Sequence, residues 1–383
     1  MRVLFFGTYN AQRHPRVKVL QEGLASWGDE IVECNVPLAI DTALRVRMLS
    51  RPHLLPLLVF RLAGAWLRLL WRSRTVGPVD AVVVGYLGHF DVHLARLRWP
   101  DVPIVLDHLV PAGECAVDRG VRHGWILRSL GRLDREAVAA ADVVLVDTEE
   151  HAGLLPASVR GRALVAPLGA PAAWFHQPAA VSGSPLRVIF FGLYIPLQGT
   201  PIIGESLAAL AGEPDIRVTM VGSGQELRAA RDAAVGNPAV RWREWVAPED
   251  LPGLVASHDV CLGIFGTGAK AFRVVPHKVV QGAAAGCAIV TSDTAPQRAA
   301  LGDAAVYVPA GDGEALADAL RLFVRKPAML QALRWRAYRR AVVRFQGRVT
   351  VERLRARLFP SEITATHGRD EPQQVEPAAY AAP

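Results

Sequence analysis

The sequence lacks the features that mark several specialised protein classes. Its 383 residues include only four cysteines, and none of them belongs to a C-x-x-C pair. This scarcity argues against a disulfide framework or a zinc knuckle, and it favours a reducing compartment. At the N-terminus an apolar run of only four residues precedes Gly7, which is too short for a signal peptide.

Several enzyme motifs are missing as well. The chain has no P-loop, no G-x-S-x-G nucleophile elbow and no H-E-x-x-H zinc motif. Gly7 stands alone after the first predicted strand, so a dinucleotide-binding G-x-G-x-x-G is absent and a nicotinamide-dependent enzyme is disfavoured. Metal-ligand residues are not clustered along the sequence either. We therefore expect no metal, no cofactor and no nucleic acid partner.

What is present is the composition of a folded protein, with 51% hydrophobic and 21% charged residues over a length that predicts two domains. Short apolar runs alternate with helical patterns in both halves, which indicates βαβ units and parallel sheets. The predicted strands lie at 3–6, 31–34, 81–86, 103–107, 142–147 and 163–168, and then at 186–192, 216–222, 239–242, 259–265, 287–292 and 305–308. We predict an α/β protein with two facing, doubly wound, Rossmann-like domains.

Composition also sets the predicted domain boundaries. Residues 1–170 form the first domain, and the stretch 171–185, rich in Pro, Ala and Ser, is the linker. The second domain spans 186–345. A helix at 346–360 is expected to cross back to the first domain, and the polar tail 361–383 is expected to be disordered.

Ligands of doubly wound sheets bind beyond the carboxyl ends of the strands, so two facing sheets predict one central cleft. Gly7 ends the first strand, and Asn10 and Arg13 follow it on a predicted wall of this cleft. Asp107 and His108 stand at the end of the strand 103–107. A histidine at this place suits acid–base chemistry, and a structural role explains it equally well.

Arginines are concentrated in one helical stretch. Positions 42–79 contain seven arginines and no acidic residue. The arginines of its helical part form a stripe beside apolar and tryptophan positions, which is typical of a helix at an anionic membrane surface. A core helix with a solvated stripe is the alternative. The predicted membrane-contact residues are Arg61, Trp66, Arg68, Trp71 and Arg72. We expect a cytoplasmic protein, peripheral at the inner face of the membrane if these residues bind lipid.

The segment 259–293 carries the clearest binding motif. A strand ends in a glycine-containing loop, Pro276 opens a helix, and Gly286 ends it. Such a helix N-terminus attracts anions, and the predicted cations around it are Lys270, Arg273 and Lys278. A diphosphate fits this pattern, and a helix start with solvated basic residues is the alternative.

The second half, 186–345, resembles the nucleotide-sugar domain of family-four retaining glycosyltransferases, which have the GT-B architecture. The resemblance rests on five segments in the family's order: FFGLYIPLQG, VTMVGSGQEL, VRWREWVAPEDLPGLVASHDVCL, PHKVVQGAAAGCAIVTSD and VYVPAGDGEALADAL. It implies transfer of a sugar from a nucleotide-sugar donor to a glycan or lipid-linked acceptor, with retention and without an essential metal. It also implies donor contacts for Gly192 and Gly222 and places His108 near the donor sugar.

Two departures from the family pattern affect the expected chemistry. Arg273 and Gln281 replace the family's two glutamates; a glutamine still accepts from ribose hydroxyls, whereas Arg273 inverts the charge beside the donor sugar. The family's two phosphate-binding cations are replaced by Leu193 and Gln198. We list His108 and Arg273 as candidate catalytic residues. A non-catalytic nucleotide-sugar-binding or scaffold protein and a GT-B nucleotide-sugar epimerase stay open as alternatives.

Overall fold

The computed structural model describes residues 1–10, 14–38, 55–86, 88–109, 111–180 and 183–360. Within them, two parallel sheets of six strands each form the framework. The strands are Arg2–Gly7 (β1), Glu30–Asn35 (β2), Ala81–Val84 (β3), Ile104–Asp107 (β4), Val143–Val146 (β5), Ala163–Val165 (β6), Leu186–Phe191 (β7), Ile216–Val221 (β8), Val240–Arg243 (β9), Val260–Leu262 (β10), Ala288–Ser292 (β11) and Ala305–Val308 (β12).

Helices connect the strands in both halves. In the first half they are Pro15–Ala25 (α1), Leu55–Ser73 (α2), Asp91–Arg98 (α3), Ala112–Asp118 (α4), Gly124–Ala140 (α5), Glu149–Leu154 (α6) and Ala157–Arg160 (α7). In the second half they are Thr200–Ala209 (α8), Leu227–Ala233 (α9), Leu251–Ala256 (α10), His277–Ala284 (α11), Ala295–Leu301 (α12), Gly313–Arg325 (α13), Pro327–Arg344 (α14) and Gly347–Leu358 (α15).

The strand order creates one switch point in each sheet. The first sheet runs β2-β1-β3-β4-β5-β6 and the second runs β9-β8-β7-β10-β11-β12. In the first sheet, β2 lies on one side of β1 and the later strands lie on the other side, beginning with β3. In the second sheet, β8 and β9 lie on one side of β7 and the later strands lie on the other side, beginning with β10. Crevices for ligands open at such points, at the carboxyl ends of the strands. The predicted fold class is confirmed, because each predicted strand has its counterpart in one of these two sheets.

The first sheet is covered on both faces, which explains its continuous apolar strands. On one face α2, α3 and α5 pack against alternate residues of β1 such as Leu4 and Phe6. On the other face α1 and α15 pack against Val3 and Phe5. The outward sides of α2, α3 and α5 therefore form one continuous outer layer of the first domain.

Helix α15 belongs by packing to the first domain, although it follows the second domain in the chain. Val351 and Leu354 are fully buried against α1 and the first sheet. The indole of Trp27 donates to the backbone oxygen of Arg348 at 3.1 Å. The chain thus crosses between the domains twice. The tail 361–383, predicted to be disordered, lies outside the described residues.

Candidate functional site

The loops after β7 and β8 meet closely beneath the N-terminus of α11. Gly192 and Gly222 both have positive φ, of 139° and 119°. A Cβ on Gly222 would lie 1.9 Å from the carbonyl oxygen of Gly192, and one on Gly192 would lie 3.3 Å from the Nζ atom of Lys278. Only glycine fits such contacts, so these two glycines let the loops approach each other and leave room for the lysine.

Lys278, in the first turn of α11, is buried with 4% exposure. Its Nζ atom bonds the side-chain oxygen of Gln198 and lies 3.6 Å from the centre of the Phe190 ring. Burial lowers the pKa of Lys278 well below its ordinary value. No side chain caps the helix at Pro276. An amine and an uncapped helix terminus therefore share one pocket, an arrangement that suits a phosphate group.

Gln281 lies one turn further along α11 and is 6% exposed. It therefore faces inward, on the same side of the helix as Lys278. The sequence placed Lys270 and Arg273 around the same anion, but both reach across the cleft. Lys270 Nζ is 3.1 Å from Cys115 Sγ, and Arg273 Nη2 is 3.0 Å from the Glu114 carboxylate.

Arg273 is held by the first domain in two ways. Besides the ion pair with Glu114, its backbone oxygen accepts from Thr148 Oγ1 at 2.9 Å. A short chain of polar groups extends from this pair: Glu114 lies 3.9 Å from His151 Nε2, and His151 Nδ1 lies 2.5 Å from Asp147 Oδ1. Sequence reasoning missed His151 and Asp147, whose only signal is their place just after the strand β5.

His108 stands at the end of β4, in the cleft, and is 4% exposed. Its ring packs edge-on against His89 with 5.2 Å between centres, and His89 Nε2 lies 2.9 Å from the Asp134 carboxylate. Burial and the neighbouring His89 lower the pKa of His108, against the opposing effect of Asp134. A neutral imidazole of this kind can accept a proton from a substrate hydroxyl.

These three residues form a spatial group of possible metal ligands that is not visible in the sequence, where they are far apart. One ligand atom of each of His89, His108 and Asp134 lies within 4.8 Å of the others. The cluster forms because residues far apart in the chain meet: His89 precedes α3, His108 follows β4, and Asp134 lies within α5. Asp134 is also engaged by the backbone N–H groups of Ala112 and Gly113, at 2.9 and 3.1 Å. Hydrogen bonding thus accounts for the position of its carboxylate.

Asp107 forms a buried ion pair that the sequence did not predict. Its Oδ1 atom lies 2.7 Å from Arg16 Nε, and both side chains are at most 1% exposed. Burial raises the pKa of Asp107, and the Arg16 charge opposes that shift. The ion pair joins the end of β4 to the first turn of α1.

The other residues predicted for this wall of the cleft, Gly7, Asn10 and Arg13, come at or after the end of β1 in the chain. A Cβ on Gly7 would lie 2.9 Å from the Asp91 carboxylate, which also accepts from the backbone and hydroxyl of Thr8 at 2.7 and 2.8 Å. Asn10 follows, and its backbone oxygen accepts from the His14 N–H at 3.1 Å. Arg13 lies outside the described residues. This loop is therefore anchored to α3 before α1 begins.

Buried polar atoms without a well-formed hydrogen bond concentrate in this cleft. The described part of the chain has twelve such side-chain atoms, and nine of them belong to cleft residues on both walls. The residues are Arg16, His89, Asp107, His108, Glu114 and His151 from the first domain, and Arg273 and His277 from the second. Because buried polar groups are normally paired, this concentration indicates a place built to receive a polar ligand.

Helix α2 lies in the outer layer of the first domain. Ala65 and Leu69 face the core, and Trp66 is partly buried with its indole N–H bonded to Asp91 at 2.9 Å. The structure thus turns Trp66 away from the surface on which the sequence placed it. The predicted contact residues that are exposed are Arg61, Arg68, Trp71 and Arg72. Among the described helices, none has both the length and the apolar character that a membrane crossing requires.

Part of the second domain is similar in sequence to a known protein family. Residues 185–326 match the family model of the glycosyl transferases group 1. This segment contains Gly192, Gly222, Lys278 and Gln281, so the pocket under α11 lies within the group 1 match. No curated protein sequence matches the chain significantly.

Solved structures match over nearly the whole chain. Sucrose-phosphate synthase from Thermosynechococcus elongatus gives a TM-score of 0.70 at 13% identity, over 95% of this chain and 99% of that one. HepE from Anabaena, in complex with UDP and glucose, gives 0.67 at 14% identity, over 94% and 99%. The α,α-trehalose-phosphate synthase (UDP-forming) from Burkholderia vietnamiensis gives 0.63 at 14%, over 93% and 96%. These similarities show that the chain has the GT-B fold.

Proposed function

We propose that this protein is a retaining glycosyltransferase that moves a sugar from a nucleoside diphosphate donor to an acceptor bound by the first domain. The observation that carries the proposal is the pocket beneath α11. There Lys278, an uncapped helix N-terminus and two close-packed glycines lie within a segment that matches the group 1 family. HepE from Anabaena, which has the same fold, has been solved in complex with UDP and with UDP-glucose, and this supports a uridine donor.

In the proposed reaction the leaving group is a nucleoside diphosphate, whose departure builds negative charge. Lys278 and the N-terminus of α11 would stabilise that charge. Gln281, one turn along, would accept a hydrogen bond from the ribose. His108 would take the proton of the attacking acceptor hydroxyl, since its lowered pKa keeps the ring neutral at pH 7.

We further propose that this chemistry needs no essential metal, because Lys278 and the N-terminus of α11 supply positive charge at the diphosphate position. Addition of a chelator should then leave the transfer rate unchanged. If a chelator lowers the transfer rate and a divalent ion restores it, the reaction needs a metal. The candidate ligands would then be His89, His108 and Asp134, whose ligand atoms already lie close together.

The direct experiment is a panel of nucleotide sugars incubated with the purified chain and mixed glycan and lipid-linked acceptors. Release of nucleoside diphosphate identifies the donor, and the anomeric coupling in the NMR spectrum of the product reports retention. The matched variant is Lys278→Ala, with Lys326→Ala as the exposed-lysine control. If no donor is cleaved, transferred or bound by the wild-type chain, the proposed function is wrong.

A catalytically inactive nucleotide-sugar-binding protein is the second candidate, and one observation favours it. Arg273, at the position of the family's first glutamate, is occupied by an ion pair with Glu114 rather than open to a sugar. The same panel separates the two functions, since a binding protein gains thermal stability with a nucleotide sugar but leaves it intact. An epimerase would convert the donor without any acceptor.

The acceptor is proposed to be a glycan or a lipid-linked sugar at a membrane surface. Support comes from the outer layer of the first domain, where α2, α3 and α5 lie side by side. Large apolar side chains of that layer are exposed, among them Phe60 (78%), Leu67 (69%) and Trp71 (69%) on α2 and Trp125 (54%) on α5. Exposed apolar groups next to arginines are typical of proteins that bind anionic lipid surfaces.

A further inference from the structure

Arg16 is a buried arginine whose outer nitrogens have no protein partner. Its Nε atom is bonded to Asp107, but neither Nη1 nor Nη2 has a hydrogen bond, and the residue is 1% exposed. The equally buried Arg334 of the second domain is different. Its Nε donates to the Gly286 backbone oxygen at 2.8 Å and its Nη1 pairs with Asp259 at 3.2 Å. Contacts within the fold therefore account for the guanidinium of Arg334, whereas no contact accounts for the two outer nitrogens of Arg16.

The position of Arg16 adds a second anion-attracting feature. It lies in the first turn of α1, an eleven-residue helix whose N-cap residue, His14, makes no side-chain cap. The positive end of this helix dipole therefore acts at the same place as the guanidinium. Asp107 fixes the guanidinium through Nε and leaves the two outer nitrogens as a planar fork, the geometry that matches a phosphoryl or carboxylate group.

Arg16 lies on the cleft side of the first domain, because its partner Asp107 is the last residue of β4, at the carboxyl edge of the sheet beside His108. His277 is the first residue of α11 in the opposite domain, and its own burial and the Arg16 charge lower its pKa to about 4. The Arg16 charge therefore acts on the N-terminus of α11 in the opposite domain. Arg16 could hold an anion on the wall formed by the first domain. Lys278 lies at the proposed diphosphate position on the wall formed by the second domain.

From this arrangement we propose that Arg16 and the N-terminus of α1 bind an anionic group of the acceptor, either a phosphoryl or a carboxylate group. The inference rests on the proposed function, because it assigns the first wall to the acceptor. The donor diphosphate has its own amine and helix terminus on the second wall, so the fork of Arg16 is available to the other substrate. The free Oδ2 atom of Asp107 would accept a hydroxyl of the same acceptor.

The test measures anion binding to the full chain by calorimetry, first alone and then with saturating UDP. The probes are inorganic phosphate and acetate. The main variant is the double substitution Arg16→Gln/Asp107→Asn, which removes the charged pair without stranding a buried carboxylate. Arg16→Lys keeps the charge but loses the fork, and it serves if the double variant fails to fold.

A matched control comes from another buried pair outside the cleft. Arg355 Nε bonds Asp29 Oδ2 at 3.1 Å, with the same Nε geometry as in the Arg16 pair. Arg355→Gln/Asp29→Asn should lower the thermal midpoint without changing anion affinity. The wild-type chain should bind phosphate or acetate in the presence of UDP. The Arg16 variants should weaken that binding at least about tenfold while UDP affinity stays the same.

Two results would overturn the inference. Equal anion affinity in wild type and both Arg16 variants, or no anion binding by the wild type, would remove the site. A loss of UDP affinity in the Arg16 variants, together with phosphate excluded by UDP, would assign Arg16 to the donor diphosphate. Failure of UDP to bind the wild type would instead count against the proposed function, and the phosphate titration of the UDP-free chain would still test Arg16.

Discussion

Lys278 should take up a proton when a nucleoside diphosphate binds. The residue is 4% exposed, its amine lies against the Phe190 ring and the Gln198 side chain, and burial holds its pKa well below the ordinary value. A diphosphate beside the amine favours the charged form and raises that pKa again. At about pH 8 the phosphates of UDP are already ionised and its uracil ring is still neutral, so proton uptake can be assigned to the protein. Calorimetry in buffers of different ionisation enthalpy should show net proton uptake when UDP binds.

The substitution Lys278→Met tests this reasoning through UDP binding and through the thermal stability of the ligand-free protein. It removes a charge-assisted hydrogen bond of roughly 1.5 to 3 kcal/mol, so UDP should bind about ten- to 150-fold more weakly and without proton uptake. The ligand-free variant should unfold at an equal or higher temperature, because a buried amine is replaced by an apolar group of similar length. Lys326→Met, at an exposed position, should change neither quantity. Wild-type UDP affinity or unchanged proton uptake in Lys278→Met would refute the diphosphate site.

Three further predictions concern other parts of the molecule. Gln281→Ala should weaken nucleotide binding while Gln281→Glu preserves it, as measured by titration with UDP; equal loss in both would rule out a ribose contact. Burial and the Arg16 charge hold the pKa of folded His277 at about 4, below the ordinary 6.5, so the unfolded chain takes up the proton first and stability should fall as pH decreases from about 6.5 to 4. His277→Asn should flatten that part of the denaturation profile, and an unchanged slope would contradict the assignment. Substitution of the exposed Arg68 by Gln and of Trp71 by Ser should reduce sedimentation with anionic vesicles at low salt without lowering the thermal midpoint. Wild-type protein that ignores such vesicles would remove the support for a membrane-bound acceptor.

The fold could be predicted because its signals are local. Apolar runs such as AVVV at 81–84 are buried on both faces of a parallel sheet, so they remain visible without knowledge of their neighbours. Helix α11 could be found from Pro276 and Gly286 at its two ends, and Gly286 indeed has a φ of 76°. The same segment led to Lys278 and Gln281, both of which the structure buries in one pocket.

The first wall of the cleft could not be predicted in the same way. Arg16 and Asp107 are 91 positions apart, and nothing in the residues around either one indicates their contact. The meeting of His89, His108 and Asp134 likewise depends on how strands and helices are placed. Helical periodicity alone did not predict the position of Trp66. The stripe of arginines on α2 does not indicate that this tryptophan faces α3, where its indole bonds Asp91.

The packing of α15 on α1 has a consequence for biosynthesis. The first domain is translated early, yet part of its core, including Val351 and Leu354, comes from α15, which follows the second domain in the chain. A nascent chain that has left the ribosome only up to α14 therefore carries an exposed apolar side of α1, the helix that holds Arg16. We expect the proposed acceptor wall to reach its final form only after the second domain has been made, so that the second domain is finished before the cleft exists.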